Sequence, residues 1–328
     1  MPVPPLRALV IGTGSIGRRH IDNLRDIDPA THFVLLRDGA REDDYSRGLG
    51  ADVVGTIADA LAATPTLAVL ANPSDRHAEV LVPLLEAGVA TFVEKPIVIA
   101  ADDVRRLETL SGAAPTQVGC VLRFLPSLRR AKSWIDAGRL GRVVRAGFEV
   151  GQYLPDWRPA QDYRRSYSAD RQRGGGVVLD LVHEIDLACW LLGDELALVG
   201  ACGRTLSHLE ITSEDVAALL LQTLEGAPAT IQLDYVSRMP VRRLSIVGDL
   251  GTVTWDLRRR ELILATDAGI EERIEDGFDV GPAYVEAMRE LVEAVTTGAP
   301  TSLPLEAGLA ATRLAIAANA HLRDGATA

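Results

Sequence analysis

A glycine-rich turn between a predicted strand and a predicted helix constrains the fold of this chain more than any other feature. Gly12-Thr13-Gly14-Ser15-Ile16-Gly17 follows the apolar run ALVI and opens the helix-like stretch IGRRHIDNLRDI. In this context Gly12 permits a tight turn, Gly14 lets the backbone approach a pyrophosphate, and Gly17 allows close packing of helix on sheet. The helix N-terminus adds N–H donors and a partial positive charge. The pattern predicts a dinucleotide-binding turn, with an ordinary strand–turn–helix connection as the alternative.

The apolar pattern predicts the fold class. From Leu6 to about Gly119, short apolar runs alternate with helix-period stretches in the order β-α-β-β-α-β-α-β, with a weaker helical signal in TIADALAAT. Strands separated by helices imply right-handed crossovers and a parallel, doubly wound sheet. After Pro126, one helix-like stretch is followed by seven runs of period near two, which is typical of an antiparallel sheet. We therefore predict an α/β chain, with a Rossmann domain over residues 1–122 and an α+β domain with a large, open, mainly antiparallel sheet over residues 123–328. The final helices are expected to pack on this sheet or back on the first domain.

Composition excludes several classes of protein. With 47% apolar and 24% charged residues, the chain is globular rather than disordered or collagen-like. No stretch approaches the ~18 apolar residues of a membrane span, and the start lacks a secretory signal, so we expect a cytoplasmic protein without a membrane partner. A net charge of -11 argues against a nucleic-acid partner. Cys120, Cys189 and Cys202 are far apart and lack zinc-site spacing, so we expect core residues and no metal site.

The choice between NAD and NADP depends on the end of the second predicted strand, Leu35-Leu36-Arg37-Asp38. The Arg37 guanidinium could pair with a 2′-phosphate, whereas the Asp38 carboxylate could accept hydrogen bonds from ribose hydroxyls. The pattern favours NADP, with NAD as the alternative; a third interpretation makes both residues solvated turn residues.

Further motifs resemble one family of enzymes. Asn72-Pro73 with His77, Glu94-Lys95-Pro96 and Arg123-x-x-Pro126 follow the glycine turn. Gly174-Gly175-Gly176 then precedes Asp180, His183 and Asp186, and Gly248-x-x-Gly251-x-x-x-Trp255 comes last. In combination they resemble the glucose-fructose oxidoreductase and inositol dehydrogenase (Gfo/Idh/MocA) family over essentially the whole length. The resemblance implies an NAD(P)-dependent oxidoreductase with a Rossmann domain and an open-faced sheet domain, acting on a pyranose, a cyclitol or a derivative.

The resemblance also implies roles for individual residues. Lys95 and His183 are the expected catalytic pair, with Asp180 assisting. Many members space the carboxylate and imidazole as Asp-x-x-x-His, whereas Asp180 and His183 are three residues apart here. The other motif residues are expected to contact the cofactor, namely Asn72, Pro73, His77, Glu94, Lys95, Pro96 and Arg123.

The chemistry of these residues supports the same roles. The segment VVLDLVHEIDLACWLLG is apolar nearly all round, so its helix should be buried, where ionisable groups are costly unless paired or used. His183 titrates near neutrality and could take the proton of a substrate hydroxyl, with a carboxylate one turn away. Lys95 precedes a proline at a predicted strand end, where its ammonium could polarise the reacting oxygen. A salt-bridged structural histidine and a solvated lysine are the alternatives.

A polar segment rich in aromatic residues and arginines predicts a substrate-binding loop. Phe148, Tyr153, Trp157, Tyr163 and Tyr167 lie within twenty positions. Aromatic faces suit a sugar ring, and arginines suit a carboxylate or phosphate, so an acidic or nucleotide-linked sugar is one interpretation. A contact between subunits is the other. The predicted substrate-binding residues are Tyr153, Trp157, Arg158, Tyr163, Arg164, Asp180 and His183.

The leading hypothesis is hydride transfer between a nicotinamide cofactor and a secondary alcohol or ketone of a sugar-like substrate. The alternatives are a non-redox NAD(P)-binding sensor or scaffold, and an enzyme that uses tightly held NAD for transient oxidation in an elimination or lyase reaction. The runs of the second domain offer a sheet face larger than one helix layer covers. Left open, such an apolar face would be an exposed patch of the kind that marks an interface, so we expect a homodimer or homotetramer formed through the sheet.

Overall fold

A computed structural model describes residues 5–157, 159, 161–193 and 195–324. Its contacts divide the chain into two compact units. The first contains the residues up to Val121 together with Gly281–Leu309, and the second contains Leu122–Val280 together with the residues from Ala310 onward. The predicted boundary was residue 122, and the sequence allowed the final helices to pack on either domain. Residues 281–309 cluster with the first unit.

The first unit contains a parallel six-stranded sheet. Its strands are β1 (Arg7–Ile11), β2 (His32–Leu36), β3 (Asp52–Val54), β4 (Leu67–Leu70), β5 (Ala90–Val93) and β6 (Thr116–Val118), in the order β3-β2-β1-β4-β5-β6. Every residue of β4 and β5 is buried, as expected for strands covered on both faces. The predicted doubly wound parallel sheet is confirmed. Strand β3 was not predicted, because three residues are too few to show a period.

The helices, in chain order, are α1 (Ser15–Ile27), α2 (Asp44–Leu49), α3 (Ile57–Ala62), α4 (His77–Glu86), α5 (Ala101–Glu108), α6 (Pro126–Asp136), α7 (Val177–Asp180), α8 (His183–Leu192), α9 (Val280–Thr297) and α10 (Leu305–Asp324). Helix α1 buries Gly17, His20, Ile21 and Leu24. The spacings of three and four place these residues on one face, which packs toward β1 and β4. The buried side of α1 therefore includes two polar residues, His20 and Asn23, beside its apolar ones.

The second unit contains an eight-stranded sheet. Its strands are β7 (Val143–Gly151), β8 (Ala197–Arg204), β9 (Val216–Gln222), β10 (Pro228–Asp234), β11 (Val241–Gly248), β12 (Gly251–Asp256), β13 (Glu261–Thr266) and β14 (Gly269–Ile274). The order is β14-β13-β12-β11-β7-β10-β9-β8, antiparallel except between β7 and β10, so the predicted mainly antiparallel sheet is confirmed. The eighth strand, β14, was missed because its sequence GIEERI is largely polar and exposed.

The two faces of this sheet differ in chemistry. One face is core, and its side chains include Phe148, Ile231, Leu244 and Trp255. The alternate positions of the same central strands are polar, as Glu149, Thr230, Gln232, Arg243, Ser245 and Thr254 show. Exposed apolar residues of the sheet are Val199 of β8 and Leu220 of β9 toward one edge, Ile270 of β14 at the other edge, and Val144 near the start of β7. The expectation that the whole outer face is apolar is therefore wrong for the central strands, because their period of two is apolar on the core side only.

The predicted continuous helix over VVLDLVHEIDLACWLLG is interrupted. Helix α7 ends at Asp180, and α8 begins at His183. Leu181 lies at φ −96° and ψ 30°, outside the helical region, so the helix is interrupted at this residue. The inference that Asp180 and His183 share one face of a helix is wrong, since the two residues belong to different helices. The expected burial is confirmed, because both side chains are buried.

Two further expectations concern cysteines and membranes. Cys120 and Cys189 are buried, but Cys202 is exposed, so the prediction of three core cysteines is wrong for Cys202. It lies on β8, an edge strand whose side chains are only partly covered. Within the described ranges, no helix is long and apolar enough to span a membrane, and no three His, Cys, Asp or Glu side chains group as metal ligands.

Candidate active site

The glycine turn after β1 forms a cradle whose three glycines have different surroundings. Gly12 has φ +90°, and a Cβ there would lie 2.5 Å from the carbonyl oxygen of Ala71. A Cβ on Gly17 would overlap the carbonyl oxygen of Gly12, so only glycine lets α1 pack against the turn. A Cβ on Gly14 would meet no described protein atom within 4 Å. Gly12 and Gly17 are therefore required by the fold, whereas Gly14 leaves space that a ligand could use.

The start of α1 suits an anion. Gly14 is the N-cap, and in the described structure no side chain caps the helix and no acidic residue occupies its first turn. The first-turn N–H groups, which include those of Ile16 and Gly17, thus lack the usual side-chain acceptor. A pyrophosphate placed there would accept from these donors and interact favourably with the helix dipole. The residues present fit the diphosphate of a dinucleotide.

A cavity of about 620 Å³ adjoins this cradle within the first unit. It is lined by the ends of β1 and β2 and by the turn after β4, and its predicted site residues are Gly12, Thr13, Arg37, Asp38, Asn72 and Pro73. The Asn72 Oδ1 atom is buried and has no hydrogen-bond partner among the described residues. A buried carbonyl oxygen without a partner is costly unless a ligand satisfies it. The cavity therefore fits the nucleoside part of a dinucleotide.

Arg37 and Asp38 differ sharply in environment. Arg37 Nη1 lies 2.9 Å from Asp43 Oδ1, Arg37 Nη2 donates to Thr13 Oγ1 at 3.0 Å, and the side chain is 16% exposed. Asp38 is 88% exposed, and its Oδ2 lies 3.3 Å from Arg76 Nη1. Both terminal nitrogens of Arg37 are thus engaged by the protein, while its buried Nε has no hydrogen-bond partner among the described residues. Most of the Asp38 carboxylate faces outward.

Lys95 follows β5 on a segment whose backbone is fixed by a buried carboxylate. Glu94 Oε2 accepts from the N–H of Lys95 at 3.2 Å, and Glu94 Oε1 lies 2.7 Å from Nε2 of the fully buried His20. A Cβ at Gly119 would lie 3.1 Å from the Glu94 carboxylate, so the glycine leaves room for this group. Burial and then the Glu94 charge raise the pKa of Tyr284, which neighbours the His20 ring. The Lys95–Pro96 peptide is cis.

His77 holds the other end of the same segment. Its Nδ1 lies 3.0 Å from the carbonyl oxygen of Ile97, and its Nε2 lies 2.9 Å from that of Asn72. The ring is fully buried, and burial lowers the pKa of the imidazole. His77 therefore joins the turn after β4 to the residues that follow Pro96. The predicted contacts of His77 and Glu94 with the cofactor stay predictions.

In the second unit, Asp180 is the acceptor of a hydroxyl cluster. Its carboxylate accepts from Tyr167 Oη, from Ser168 Oγ at 2.7 Å and from Tyr235 Oη at 2.9 Å. Burial and the Asp180 charge raise the pKa of Tyr235 well above the ordinary value of a tyrosine. Asp180 thus ties together the loop before the glycine segment, α7 and the end of β10. Tyr235 and Ser168 were not predicted, because hydroxyl residues in strands and loops carry no distinctive spacing.

His183 is the first residue of α8 and is 8% exposed. The next carboxylates of the helix are paired: Glu184 Oε1 lies 2.7 Å from Arg242 Nε, and Asp186 receives both Nε and Nη2 of Arg123 at 2.9 and 2.7 Å. The expectation that buried ionisable groups of this segment are paired is confirmed for these two. Arg123, predicted as a cofactor ligand, is held by Asp186; its contact with the cofactor stays a prediction.

The described residues of the aromatic segment form four short 3₁₀ turns, Leu154–Asp156, Tyr163–Arg165, Tyr167–Ala169 and Arg171–Arg173. Phe148 lies on β7 and is core, while Trp157 packs edge-on against Tyr235 at 5.3 Å. The Tyr153 ring lies under the Arg238 guanidinium at 3.4 Å. The Tyr163 hydroxyl accepts from the N–H of Glu210. Arg158 lies outside the described residues.

Arg164 already has two carboxylate partners. Its guanidinium makes hydrogen bonds of 2.9 Å to both oxygens of Asp162, and its Nη1 lies 3.3 Å from Glu210 Oε1. The hydrogen bonds and charge of Asp162 raise the pKa of Arg164 further. Its predicted role in binding an acidic substrate would require displacing these partners.

The parallel sheet, the glycine cradle and the adjoining cavity define a dinucleotide-binding enzyme. Residues 6–119 match the family described as "Oxidoreductase family, NAD-binding Rossmann fold", and residues 128–254 match the "GFO/IDH/MocA C-terminal domain". The chain belongs to the Gfo/Idh/MocA family of oxidoreductases. It is an NAD(P)-dependent oxidoreductase acting on CH–OH groups.

Named relatives support this assignment. Inositol 2-dehydrogenase 3 of Saccharopolyspora erythraea is 30% identical over 258 residues, covering 76% of this chain and 72% of that protein. The scyllo-inositol 2-dehydrogenase (NAD(+)) of Bacillus subtilis is 25% identical over 335 residues, covering 94% and 93%. The crystal structure of GenD2 from gentamicin A biosynthesis, in complex with NAD, superposes with a TM-score of 0.80 at 25% identity, covering 99% and 96%.

Proposed function

We propose that the protein oxidises a secondary hydroxyl of an uncharged cyclitol or pyranose with NAD. The observation that carries the proposal is that one unit holds both a cofactor cradle and Lys95, whose backbone N–H is fixed by buried Glu94. The similarity to two inositol 2-dehydrogenases supports a cyclitol or a related ring as substrate. The pairing of Arg164 with Asp162 and Glu210 supports a substrate without negative charge.

Lys95 and His183 are the proposed catalytic residues. Bound NAD supplies the hydride acceptor. The Lys95 ammonium stabilises negative charge on the reacting oxygen, and neutral His183 takes the proton of the hydroxyl. Asp180 is assigned a positioning role, because three hydroxyl groups already donate to its carboxylate. Tyr153, Trp157 and Tyr163 remain candidate substrate contacts.

NAD is proposed as the cofactor in place of the NADP that the sequence favoured. A 2′-phosphate requires an accessible cation, and both terminal nitrogens of Arg37 are engaged by Asp43 and Thr13. Asp38 is exposed beside the same cavity, where a carboxylate accepts from ribose hydroxyls and repels a phosphate.

Lysine and histidine variants test the catalytic assignment. Lys95→Ala and His183→Ala should each lower kcat by about 10²-fold or more, with the Kd for NAD retained. Lys132→Ala is a matched control, because Lys132 is the only other lysine of the chain and pairs on the surface with Asp136. Steady-state rates with a panel of cyclitols and pyranoses provide the measurement. Parent-like turnover in both variants would refute the assignment.

Product stoichiometry separates hydride transfer from the alternatives. One NADH per oxidised product supports the proposal, whereas product without net NADH indicates transient oxidation in a lyase or elimination reaction. Nucleotide binding without turnover of any member of the panel favours the sensor or scaffold.

We also propose that the second unit mediates formation of a dimer or a tetramer. Exposed Val199 and Leu220 on the β8–β9 side of its sheet support an interface there. Sedimentation at micromolar concentration that gave only the 35.2 kDa species would contradict it.

A further inference from the structure

The Arg37 guanidinium is held by oxygen atoms of three residues in the first unit. Asp43 Oδ1 accepts from Nη1 at 2.9 Å, the carbonyl oxygen of Arg41 lies 3.4 Å from the same nitrogen, and Thr13 Oγ1 accepts from Nη2. Thr13 belongs to the glycine turn itself. The charge that could recognise a 2′-phosphate is therefore bound to a carboxylate at the edge of the nucleotide cavity.

Asp43 is itself fixed in position. It is the N-cap of α2: its Oδ1 accepts from the N–H of Ser46 at 2.8 Å, and its own N–H donates to Ser46 Oγ at 2.9 Å. The hydrogen bonds from Ser46 and Arg37 lower the pKa of Asp43 to about 2. The carboxylate is thus ionised at physiological pH and is held by a second partner besides the arginine.

The cavity is lined by equal numbers of positively and negatively charged side chains. Three guanidiniums line it, those of Arg37, Arg41 and Arg76, together with three carboxylates, those of Asp38, Glu42 and Asp43. Arg76 pairs with Asp38 and Glu79. A phosphate dianion entering here would meet no excess positive charge. Loss of one carboxylate would make the net charge of the cavity lining positive. Loss of the Asp43 carboxylate would leave that positive charge on Arg37, the guanidinium that contacts the glycine turn.

We infer that Asp43 is a specificity-determining residue, which holds Arg37 away from a 2′-phosphate and so makes the site select NAD over NADP. The inference rests on the proposed function, because it takes this cavity as the site of the adenosine ribose. Cofactor selection is thus assigned to Asp43, which lies beyond the end of β2. The sequence pointed only to Arg37 and Asp38 at the strand end itself.

The test is the ratio of the Kd values for NAD and NADP in the full-length protein, measured by calorimetry. Asp43→Asn should shift this ratio toward NADP by about ten- to a hundred-fold, the range of one charge-assisted hydrogen-bonded pair. Asparagine is also a good N-cap, and Asp43→Ser provides a second capping variant without the carboxylate. The matched control is Asp44→Asn, which removes one charge from the next residue, where Asp44 pairs with Arg47 on the surface. Its ratio should equal that of the parent.

Three results would overturn the inference: an unchanged ratio in Asp43→Asn and Asp43→Ser, an equal shift in Asp44→Asn, or a shift that persists in the double variant Arg37→Ala/Asp43→Asn. A parent that binds neither nucleotide would instead refute the proposed function, and the inference with it. A parent that prefers NADP would refute the selection assigned to Asp43.

Discussion

Removal of the Asp186 charge should strongly destabilise the second unit. The carboxylate receives two hydrogen bonds from Arg123, and the two side chains are 1% and 8% exposed. Because Asp186→Asn leaves a guanidinium buried without its counter-charge, the expected loss is about 3–5 kcal/mol in the free energy of unfolding. For a domain of this size, such a loss lowers Tm by roughly 6–20 °C.

Scanning calorimetry of the variants checks this value. The double variant Arg123→Met/Asp186→Leu should be more stable than Asp186→Asn, because it leaves no charge buried. Asp102→Asn is the control: Asp102 pairs with Arg105 on the surface, and an exposed pair contributes about 1 kcal/mol or less. If Asp186→Asn lost no more stability than Asp102→Asn, the argument from burial would fail.

A single Arg123→Met variant tests a prediction made from the sequence. Arg123 was expected to contact the cofactor, and it is held by Asp186. An unchanged Kd for NAD, measured well below the Tm of the variant, would restrict Arg123 to a structural role. A rise of about tenfold or more would support the cofactor contact.

Two further predictions concern glycines and a buried acid. Gly14→Ala should weaken NAD binding by about tenfold or more and leave the Tm unchanged. Gly17→Ala should lower both the affinity for NAD and the Tm, because its methyl group would overlap the carbonyl oxygen of Gly12. The same change of affinity and of Tm in both variants, measured by calorimetry, would contradict this. Burial raises the pKa of Glu214 above 4.5, so its contribution to stability is present below that pH and is lost as pH rises through the raised value. Glu214→Gln should therefore gain Tm relative to the parent between pH 4 and pH 7, and a constant difference would refute it.

Local patterns in the sequence determined much of this protein. The turn at Gly12–Gly17 and the alternation of apolar runs with helix-period stretches predicted the parallel sheet, because both signals depend on residues that are neighbours along the chain. The period of two likewise predicted the second sheet. Local patterns did not predict two strands: β14 of the second sheet is too polar, and β3 of the first sheet is too short, for a pattern to show.

Local patterns did not reveal the partners of the charged groups. Asp180 and His183 looked like one helical face, but the helix breaks between them. Arg37 looked available for a phosphate, although Asp43 lies only six positions further on. The backbone path after β2 brings the two together, and residue spacing gives no direct sign of that path.

Tertiary structure decided which buried groups meet. His20 lies 74 positions from Glu94, Arg123 lies 63 from Asp186, and Asp180 lies 55 from Tyr235. The sequence singled out Glu94, Arg123, Asp180 and Asp186 as motif residues but not His20 or Tyr235, and it did not show which of these residues are partners. The partner of each residue depends on which strands and helices become neighbours, and a buried charge or hydroxyl is stable only with a partner at hydrogen-bond distance. The sequence therefore determined the fold class and the glycine turn. Packing between distant segments placed His20 against the Glu94 carboxylate, paired Arg123 with Asp186 and brought three hydroxyl groups to Asp180.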